Sequence, residues 1–295
     1  MTASPTVFTL TGNLLAERTL EFTGWSPGRT QRAVRESFQV GGKGINVAKM
    51  LARLGVPVTA LGFAGGPTGE ECEAWLVRQR FAHRLFRTTT ATRAGTVVRT
   101  AADAAEPRPE TTFLGPDAPP DATAVRACAD FLDAQPAGQV LALCGSLPGW
   151  AGDSFAPLRD ALARWRARGR LVVDTYGPPL AWCVAQAPDL IKINAQEMAG
   201  LGLSAPAPGT ATRWVVTDGP NPVRLWDSTG YRSLRPPEVR ELSPTGSGDV
   251  LLACLIDALF RRDQTLDEAV AFALPRAAAN AAHPGIAEFP EPAET

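Results

Sequence analysis

Short apolar runs alternate along this chain with longer segments in which apolar residues recur every three or four positions. The short runs predict β-strands at residues 7–10, 58–63, 140–144, 171–174, 190–193 and 214–217. The longer segments predict α-helices at residues 46–54, 70–79, 122–134, 154–167, 250–261 and 266–282. Because strands that alternate with helices form βαβ units, we predict an α/β fold with a mainly parallel central sheet.

A second pattern, of half-polar extended segments, interrupts the first one at residues 21–23, 33–40 and 96–101. Such segments are typical of strands with one face in water. We therefore predict a small β-sheet lid over a cleft, inserted at about residues 20–40 and 95–113 of a single domain that spans residues 1–295. A surface hairpin without ligand contact is the alternative interpretation.

Polar residues follow four of the predicted core strands at their carboxyl ends. They are Ser146, Asp174, Asn194 with Glu197, and Asp218, which precedes Gly219. In open α/β sheets, ligands bind outside the carboxyl ends of the strands. We therefore expect these side chains to converge on one cleft.

The sequence Thr-Gly-Ser-Gly-Asp at residues 245–249 directly precedes a strongly apolar helical segment. Glycine is a poor helix former, so Gly246 and Gly248 are expected in the loop that opens the helix. The exposed amides and the helix dipole of such a loop favour an anion. Asp249 would repel a resting phosphate, but it fits a base that takes a proton from a hydroxyl group while the amides stabilise a transferring phosphoryl group. An ordinary helix start with a first-turn aspartate is the alternative.

A second glycine loop, Gly-Gly-Lys-Gly-Ile-Asn at residues 41–46, also leads into a helix. Its spacing differs from that of the P-loop and of the dinucleotide fingerprint. Gly41 and Gly42 let a ligand approach the backbone closely. Lys43 and Asn46 can bond to hydroxyl groups or to a phosphate.

Composition and charge exclude several classes of function. The 295 residues are 45% hydrophobic and 20% charged, with a formal net charge of −1, so no global field attracts nucleic acid or an anionic membrane. The five cysteines lack metal-ligand spacing and are expected to be reduced thiols in the core. No signal-peptide pattern and no apolar segment of about 20 residues is seen, so we expect a cytoplasmic protein without nucleic acid or membrane partners.

The two glycine loops together resemble the signatures of the PfkB (ribokinase-like) carbohydrate kinase family. Residues 41–48 are similar to the first signature, which lines the sugar site, and residues 245–249 are similar to the second. Lys-Ile-Asn-Ala-Gln-Glu at residues 192–197 resembles the family's Lys-Pro-Asn-x-x-Glu element, which is associated with Mg²⁺ and phosphate. Cys-Gly-Ser-Leu-Pro at residues 144–148 resembles the Ser-Gly-Ser-Leu-Pro of the phosphosugar-kinase branch. The resemblance covers roughly residues 7–290 and implies a three-layer sandwich with a mainly parallel sheet and a small lid.

The segment from Asn13 to Glu17 indicates which phosphosugar kinases of this family the chain resembles. It is similar to the Asn-Pro-Ala-x-Asp opening of 1-phosphofructokinases, tagatose-6-phosphate kinases and the minor 6-phosphofructokinase type, whose acid holds sugar hydroxyls. Glu17 is one methylene longer than that acid, which leaves the sugar preference open. Arg93 resembles the family arginine that binds the substrate's phosphate, and Arg29 falls near a second basic contact.

The resemblance implies ATP as co-substrate, Mg²⁺, and a sugar phosphate as acceptor. The implied catalytic residues are Asp249, Gly246, Ser247 and Gly248. The implied substrate-binding residues are Glu17, Gly41, Gly42, Lys43, Asn46, Arg93 and Arg29. The implied nucleotide-binding residues are Lys192, Asn194, Thr217, Gly219, Gly246, Gly248 and Asn280, and the implied metal-binding residues are Asn194 and Glu197. A homodimer formed through the lid sheet is also expected.

Two departures from the family pattern keep other functions open. The family's helix after Asn-x-x-Glu is replaced by the short, proline-rich residues 202–209, and the phosphate-side turn at residues 218–222 loses two amide donors to proline. We expect phosphorylation of fructose 1-phosphate to fructose 1,6-bisphosphate. The alternatives are a tagatose-6-phosphate or 6-phosphofructokinase, a kinase of an unphosphorylated sugar or nucleoside, and a catalytically impaired regulator that binds sugar or nucleotide.

Overall fold

The structure, a computed structural model, describes residues 5–101, 110–283 and 285–287. The larger sheet consists of β1 (Val7–Thr11), β4 (Val58–Ala64), β5 (His83–Arg87), β8 (Val140–Cys144), β9 (Arg170–Asp174), β10 (Leu190–Asn194), β11 (Arg213–Thr217), β12 (Val223–Asp227) and β13 (Gly230–Leu234). The smaller sheet consists of β2 (Leu15–Phe22), β3 (Arg35–Gly41), β6 (Arg93–Thr100) and β7 (Thr111–Leu114). The helices are α1 (Lys43–Arg53), α2 (Gly66–Arg78), α3 (Ala122–Asp133), α4 (Ala156–Arg168), α5 (Pro178–Ala185), α6 (Ala195–Gly200), α7 (Ser247–Phe260) and α8 (Leu266–Ala281).

The larger sheet is mainly parallel, as the alternating pattern predicted. Its strand order is β13-β12-β11-β10-β9-β8-β1-β4-β5, and every neighbouring pair from β11 to β5 is parallel. The strands β12 and β13 are antiparallel additions at one edge. The sequence pattern missed them and β5, because their many charged and polar residues do not form an apolar run.

Apolar cores cover both faces of the larger sheet, so the body has three layers. Along β8, Val140 and Ala142 face the core that contains α1, α7 and α8. Leu141 and Leu143 face the opposite core, which contains α3 and α4. This arrangement places the carboxyl ends of β8 to β11 side by side at one edge, which is where the predicted site residues lie.

The smaller sheet has the order β3-β2-β6-β7 and forms the expected lid sheet. Two of its strands begin earlier than predicted, since β2 starts at Leu15 rather than near residue 20, and β6 starts at Arg93 rather than near residue 95. Leu15 and Ala16 are buried where the lid meets the body, so their apolar character did not suggest a half-exposed strand. The earlier starts place Glu17 and Arg93 on lid strands.

Two local predictions require correction. Helix α7 begins at Ser247, so Gly248 lies in its first turn rather than in the preceding loop. The first helical turn needs few intrahelical bonds, and a glycine there is tolerated. The short helices α5 and α6 were not predicted, whereas residues 201–212 contain no helix, as their prolines indicated. None of the helices in the described ranges is long and apolar enough to cross a membrane.

The cysteines are buried and free, as predicted for core thiols. They are Cys72, Cys128, Cys144, Cys183 and Cys254. Burial raises the pKa of the Cys72, Cys183 and Cys254 thiols to about 12. These side chains are therefore protonated packing groups at neutral pH.

Candidate active site

The second glycine loop is held in a left-handed turn at the start of α7. Gly246 has φ of 80°, and a Cβ atom there would lie 2.4 Å from Ile286 Cγ2. The amide of Ser247 donates to the Pro244 carbonyl at 3.2 Å, so this amide is not free for an anion as predicted. The amides of Gly246 and Gly248 make no hydrogen bond to another described residue. The predicted anion site is therefore reduced to these two donors.

The side chain of Asn280 stabilises this loop by hydrogen bonds. Its Nδ2 donates to the Thr245 carbonyl and to Ser247 Oγ, each at 3.0 Å, and its Oδ1 accepts from the Ala287 amide at 2.7 Å. The side chain is completely buried, and its donors and acceptor are all engaged. Asn280 therefore supports the shape of the loop, whereas the family resemblance predicts a direct nucleotide contact.

Asp249 lies in the first turn of α7 and is 6% exposed. Its Oδ2 accepts from Asn46 Nδ2 at 2.8 Å, which links the two glycine loops. No lysine or arginine of the described residues forms an ion pair with this carboxylate. Burial, with the nearby Asp174 charge as the next cause, raises the pKa of Asp249 to about 6. A carboxylate with this pKa suits a general base at neutral pH.

A fully buried acid, Asp174, lies between two lysines at the end of β9. Lys43 Nζ is 2.6 Å from its Oδ1, and Lys192 Nζ is 2.7 Å from its Oδ2. Burial alone would raise the pKa of Asp174, but the two ammonium groups hold it below its ordinary value. Similarly, burial opposes the charge of Lys43, but Asp174 and Glu197 raise its pKa. The bridge therefore joins the start of α1 to the ends of β9 and β10, and it keeps Lys43 charged.

Lys192 also touches the glycine loop of α7. A Cβ atom on Gly248 would lie 2.6 Å from Lys192 Nζ, so only glycine leaves room for this ammonium group. Sequence reasoning placed Asp174 in the cleft but gave it no role. The available signal was that two of the chain's three lysines stand in the motifs on either side of it.

Asn194 and Glu197 form a reciprocal capping box at the start of α6. Asn194 Oδ1 accepts from the Glu197 amide, and Glu197 Oε2 accepts from the Asn194 amide, both at 2.8 Å. Glu197 Oε1 lies 3.3 Å from Lys43 Nζ. Within the described ranges, no group of three or more His, Cys, Asp or Glu side chains could hold a metal ion. The oxygens present suit Mg²⁺ that is carried by phosphates and water, because Mg²⁺ keeps several waters and needs few protein ligands.

A cavity of about 650 Å³ lies between the end of β11, the residue 235–244 segment, α7 and α8. Three of the predicted nucleotide residues line it, namely Thr217, Gly219 and Gly248. The wall away from these residues is largely apolar, with Val239, Leu251, Leu274 and Ala278. Its size and its apolar wall beside the glycine loop are suitable for a nucleotide.

Glu17 and Arg93 project from the same face of the lid sheet, because Leu15 pairs with Arg93 and the side chains of a strand alternate. Glu17 is 7% exposed, and its Oε1 accepts from Gln39 Nε2 at 2.5 Å. A Cβ atom on Gly41 would lie 3.2 Å from Glu17 Oε2, so the carboxylate rests beside the first glycine loop. Burial raises the pKa of Glu17. Glu17 also lines a cavity of about 830 Å³ that extends along α1 beneath the lid.

Arg93 reaches the loop that follows β1. Its Nη2 donates to the Asn13 carbonyl at 3.3 Å, and Nη1 lies 3.5 Å from Asp117 Oδ1. Its buried Nε has no hydrogen-bond partner among the described residues. Asn13 Nδ2 in turn donates to Ser146 Oγ at 3.0 Å, which connects this arginine to the end of β8. A guanidinium group with an unused donor suits a phosphate.

Two further residues that were predicted to bind the substrate, Gly42 and Arg29, lie in different parts of the structure. Gly42 is the N-cap of α1 with φ of 126°, and a Cβ atom there would lie 2.6 Å from Thr11 Cγ2, so the loop requires glycine. Arg29 is exposed in the loop between β2 and β3 and makes no hydrogen bond or ion pair with a described residue. The structure therefore does not bring Arg29 to the other site residues.

The sequence matches the family described as pfkB family carbohydrate kinase over residues 10–293. A 1-phosphofructokinase from Rhodobacter capsulatus is 30% identical over 268 residues, covering 85% of this chain and 83% of that protein. A D-tagatose-1-phosphate kinase from Bacillus licheniformis is 29% identical over 203 residues, covering 65% of this chain and 61% of that protein. The crystal structure of phosphofructokinase-2 from Escherichia coli in complex with fructose-6-phosphate is 25% identical, with a TM-score of 0.81 over 93% of each chain.

Proposed function

Since this chain belongs to the pfkB family of carbohydrate kinases, we propose that it transfers the γ-phosphoryl group of ATP to a hydroxyl group of a ketohexose phosphate. Fructose 1-phosphate is the first-choice acceptor, and fructose 1,6-bisphosphate is the product. Two of the relatives are named for ketohexoses that carry their phosphate on C1, which favours this choice. Tagatose 6-phosphate and fructose 6-phosphate are the alternative acceptors within the same reaction.

One observation carries the proposal. Asp249 is a buried carboxylate that forms no ion pair with a described lysine or arginine, and it stands one residue beyond Gly248, whose amide makes no bond to a described residue. A base must be able to accept a proton, and an ion pair would have weakened it. A pKa of about 6 leaves Asp249 mostly ionised at pH 7.

The proposed step moves one proton and one phosphoryl group. Asp249 takes the proton of the acceptor hydroxyl, and the hydroxyl oxygen forms a bond to the γ-phosphorus. The bond from the γ-phosphorus to the bridging oxygen breaks, and ADP leaves with the electron pair. The amides of Gly246 and Gly248 and the ammonium group of Lys192 stabilise the charge on the transferring group.

Magnesium, when bound, neutralises the ATP phosphates, and Asn194 and Glu197 would hold it mainly through water. On the acceptor side, Arg93 binds the existing phosphate, and Glu17 accepts hydrogen bonds from sugar hydroxyls. Lys43 and Asn46 extend from the first glycine loop toward the same substrate. Arg29 remains a candidate phosphate ligand that needs a movement of its loop or a second copy of the chain.

Formation of ADP with a panel of acceptors tests the function. The panel contains fructose 1-phosphate, fructose 6-phosphate, tagatose 6-phosphate, fructose and ribose, with the Asp249→Asn variant as the catalytic control. We expect the highest kcat/KM with fructose 1-phosphate. A preference for fructose or ribose would instead indicate a kinase of unphosphorylated sugars. ATP binding without turnover on any acceptor would indicate a regulator, the alternative that the altered turn at residues 218–222 keeps open.

A homodimer through the lid sheet is the second part of the proposal. The edge strands β3 and β7 have no partner on their outer side within the described sheet. Phe113 and Leu114 on β7 are each 56% exposed. Unpaired strand edges with exposed apolar side chains favour pairing with another chain.

A further inference from the structure

The acid that lines the sugar side of the site is held by a neighbouring strand. Gln39 lies directly opposite Glu17 in the pairing of β3 with β2, and its Nε2 donates to Glu17 Oε1 at 2.5 Å. Gln39 Oε1 lies 3.5 Å from Lys49 Nζ, and Lys49 also donates to the Ile286 carbonyl at 2.8 Å. The amide group of Gln39 thus presents its donor to the acid and its acceptor to the lysine.

The hydrogen bond between Gln39 and Glu17 restricts the conformational freedom that the longer side chain of Glu17 brings. A glutamate side chain has one more rotatable bond than an aspartate, so fixing its carboxylate costs more conformational entropy. If the carboxylate were mobile, this entropy would be lost when the sugar binds, and the affinity for the sugar would be lower. The hydrogen bond from Gln39 fixes one carboxylate oxygen before the sugar arrives. The other oxygen, Oε2, stays beside Gly41 and remains available to a hydroxyl group.

We propose that Gln39 is a positioning residue that orients Glu17 for the acceptor sugar and thereby sets the affinity for it. This inference rests on the proposed function, because Glu17 is taken as the ligand of the sugar hydroxyls. Gln39 itself is not required to touch the sugar. It acts through the carboxylate, so its loss should affect acceptor binding and spare the chemical step.

The first test is Gln39→Ala. We expect the KM for fructose 1-phosphate to rise about tenfold, while kcat and the KM for ATP stay within twofold of their original values. Gln79→Ala is the matched control, since Gln79 is exposed at the end of α2 and its side chain makes no hydrogen bond to a described residue. The melting temperature of both variants, measured in parallel, separates loss of positioning from loss of folding.

The second test is Gln39→Glu, which places a second carboxylate next to Glu17. The charged groups that act on Glu17 are Glu110 near β7 and Lys49 on α1, and Gln39 on β3 lowers its pKa by hydrogen bonding. A carboxylate at position 39 instead raises the pKa of Glu17, because like charges at this distance cannot both ionise easily. At the lower pH the pair can share a proton and bind, whereas at the higher pH the two carboxylates repel each other. We expect the KM of this variant to rise at least fivefold from pH 6 to pH 8, more than that of the unaltered protein.

The outcomes separate the two proposals. If the unaltered protein phosphorylates none of the sugar phosphates, the proposed function fails. If it does so, and Gln39→Ala keeps the original KM while Gln39→Glu shows no additional pH dependence, only the role of Gln39 is wrong. A variant that lowers kcat and raises both KM values would also overturn this role, because it would indicate general damage to the lid.

Discussion

At the scale of single residues, Asp249 determines whether this site can transfer a phosphoryl group. We predict that Asp249→Asn folds but loses at least about a hundredfold in kcat, the usual scale for a positioned base. In the unaltered protein, kcat/KM should fall as the pH drops below about 6, because the carboxylate becomes protonated. Steady-state rates from pH 5 to pH 8 check both statements. Retention of most of the activity by the variant would exclude Asp249 as the base.

The same carboxylate should weaken the fold. Its pKa is about 6 in the folded protein and near the ordinary 3.8 when unfolded, so folding stability is lost as the pH rises from about 4 to 6. At pH 8, Asp249→Asn should therefore be more stable by about 2–3 kcal/mol, since one pKa unit corresponds to about 1.4 kcal/mol. The gain should be smaller at pH 5. Urea unfolding at the two pH values measures it, with Asp130→Asn on the exposed side of α3 as control.

Two neighbouring glycines should respond differently to the same change. In Gly246→Ala, the new methyl group meets Ile286 and the left-handed backbone is strained, so both stability and kcat should fall. In Gly248→Ala, the methyl group meets the end of the Lys192 side chain, which must shift within its ion pair with Asp174, so kcat should fall at least about tenfold while stability falls less than in Gly246→Ala. Unfolding curves and kcat for both variants test this contrast. Equal losses of stability would contradict it.

The site residues that could be predicted from the sequence are those whose role follows from a local pattern. Asp249, Asn46 and Lys192 stand in glycine loops or at strand ends, and the structure brings them together. The double ion pair of Asp174 was not predicted, because side chains 131 and 18 positions apart must first be folded together. The internal bond of the Ser247 amide also depends on a turn that the sequence pattern does not specify.

At the scale of elements, a buried acid joins the end of α7 to the chain that leads into α8. Asp257 is fully buried, and Arg261 Nη1 and Arg262 Nη2 lie 3.0 and 2.6 Å from its two carboxylate oxygens. We predict that Asp257→Ala lowers the free energy of unfolding by about 2 kcal/mol, less than for a fully buried pair because the arginines reach solvent. The kcat of the folded fraction should not change.

Urea unfolding together with active-site titration would test the Asp257 prediction. Asp130→Ala is a suitable control, because Asp130 is exposed and its side chain makes no hydrogen bond or ion pair with a described residue, so its removal should change stability by less than about 0.5 kcal/mol. A loss of the same size in both variants would show that the arginine pairs contribute nothing specific.

Element boundaries were predicted well where the apolar pattern was strong. The strand β8 spans the predicted residues 140–144, and α3 ends one residue before the predicted limit. Helix α1 begins three residues earlier than predicted, because Lys43 and Gly44 carry no apolar signal although their backbone is already helical. The edge strands β12 and β13 were missed for a related reason, since most of their residues are half-buried or exposed.

At the scale of the whole molecule, the alternation of strands and helices predicted the mainly parallel sheet, and the half-polar extended segments predicted the lid sheet. The three layers were expected from the family resemblance. The assembly was not predictable from these patterns, because the exposed surface of one chain does not specify its partner. If the lid mediates a homodimer, Phe113→Lys should shift the molecular mass measured by light scattering from that of two chains to that of one. Tyr231→Lys, at a side chain 58% exposed on β13, is the matched control. A single-chain mass for the unaltered protein would refute lid-mediated dimerisation.

Because the five native thiols are buried, they should not react with thiol-specific labels. A maleimide dye needs an accessible thiolate, and Cys72, Cys128, Cys144, Cys183 and Cys254 offer none at neutral pH. One cysteine introduced at Thr30, exposed in the loop between β2 and β3, would therefore carry the dye alone. Fluorescence from that single label would follow the lid in real time as sugar and nucleotide are mixed with the labelled protein.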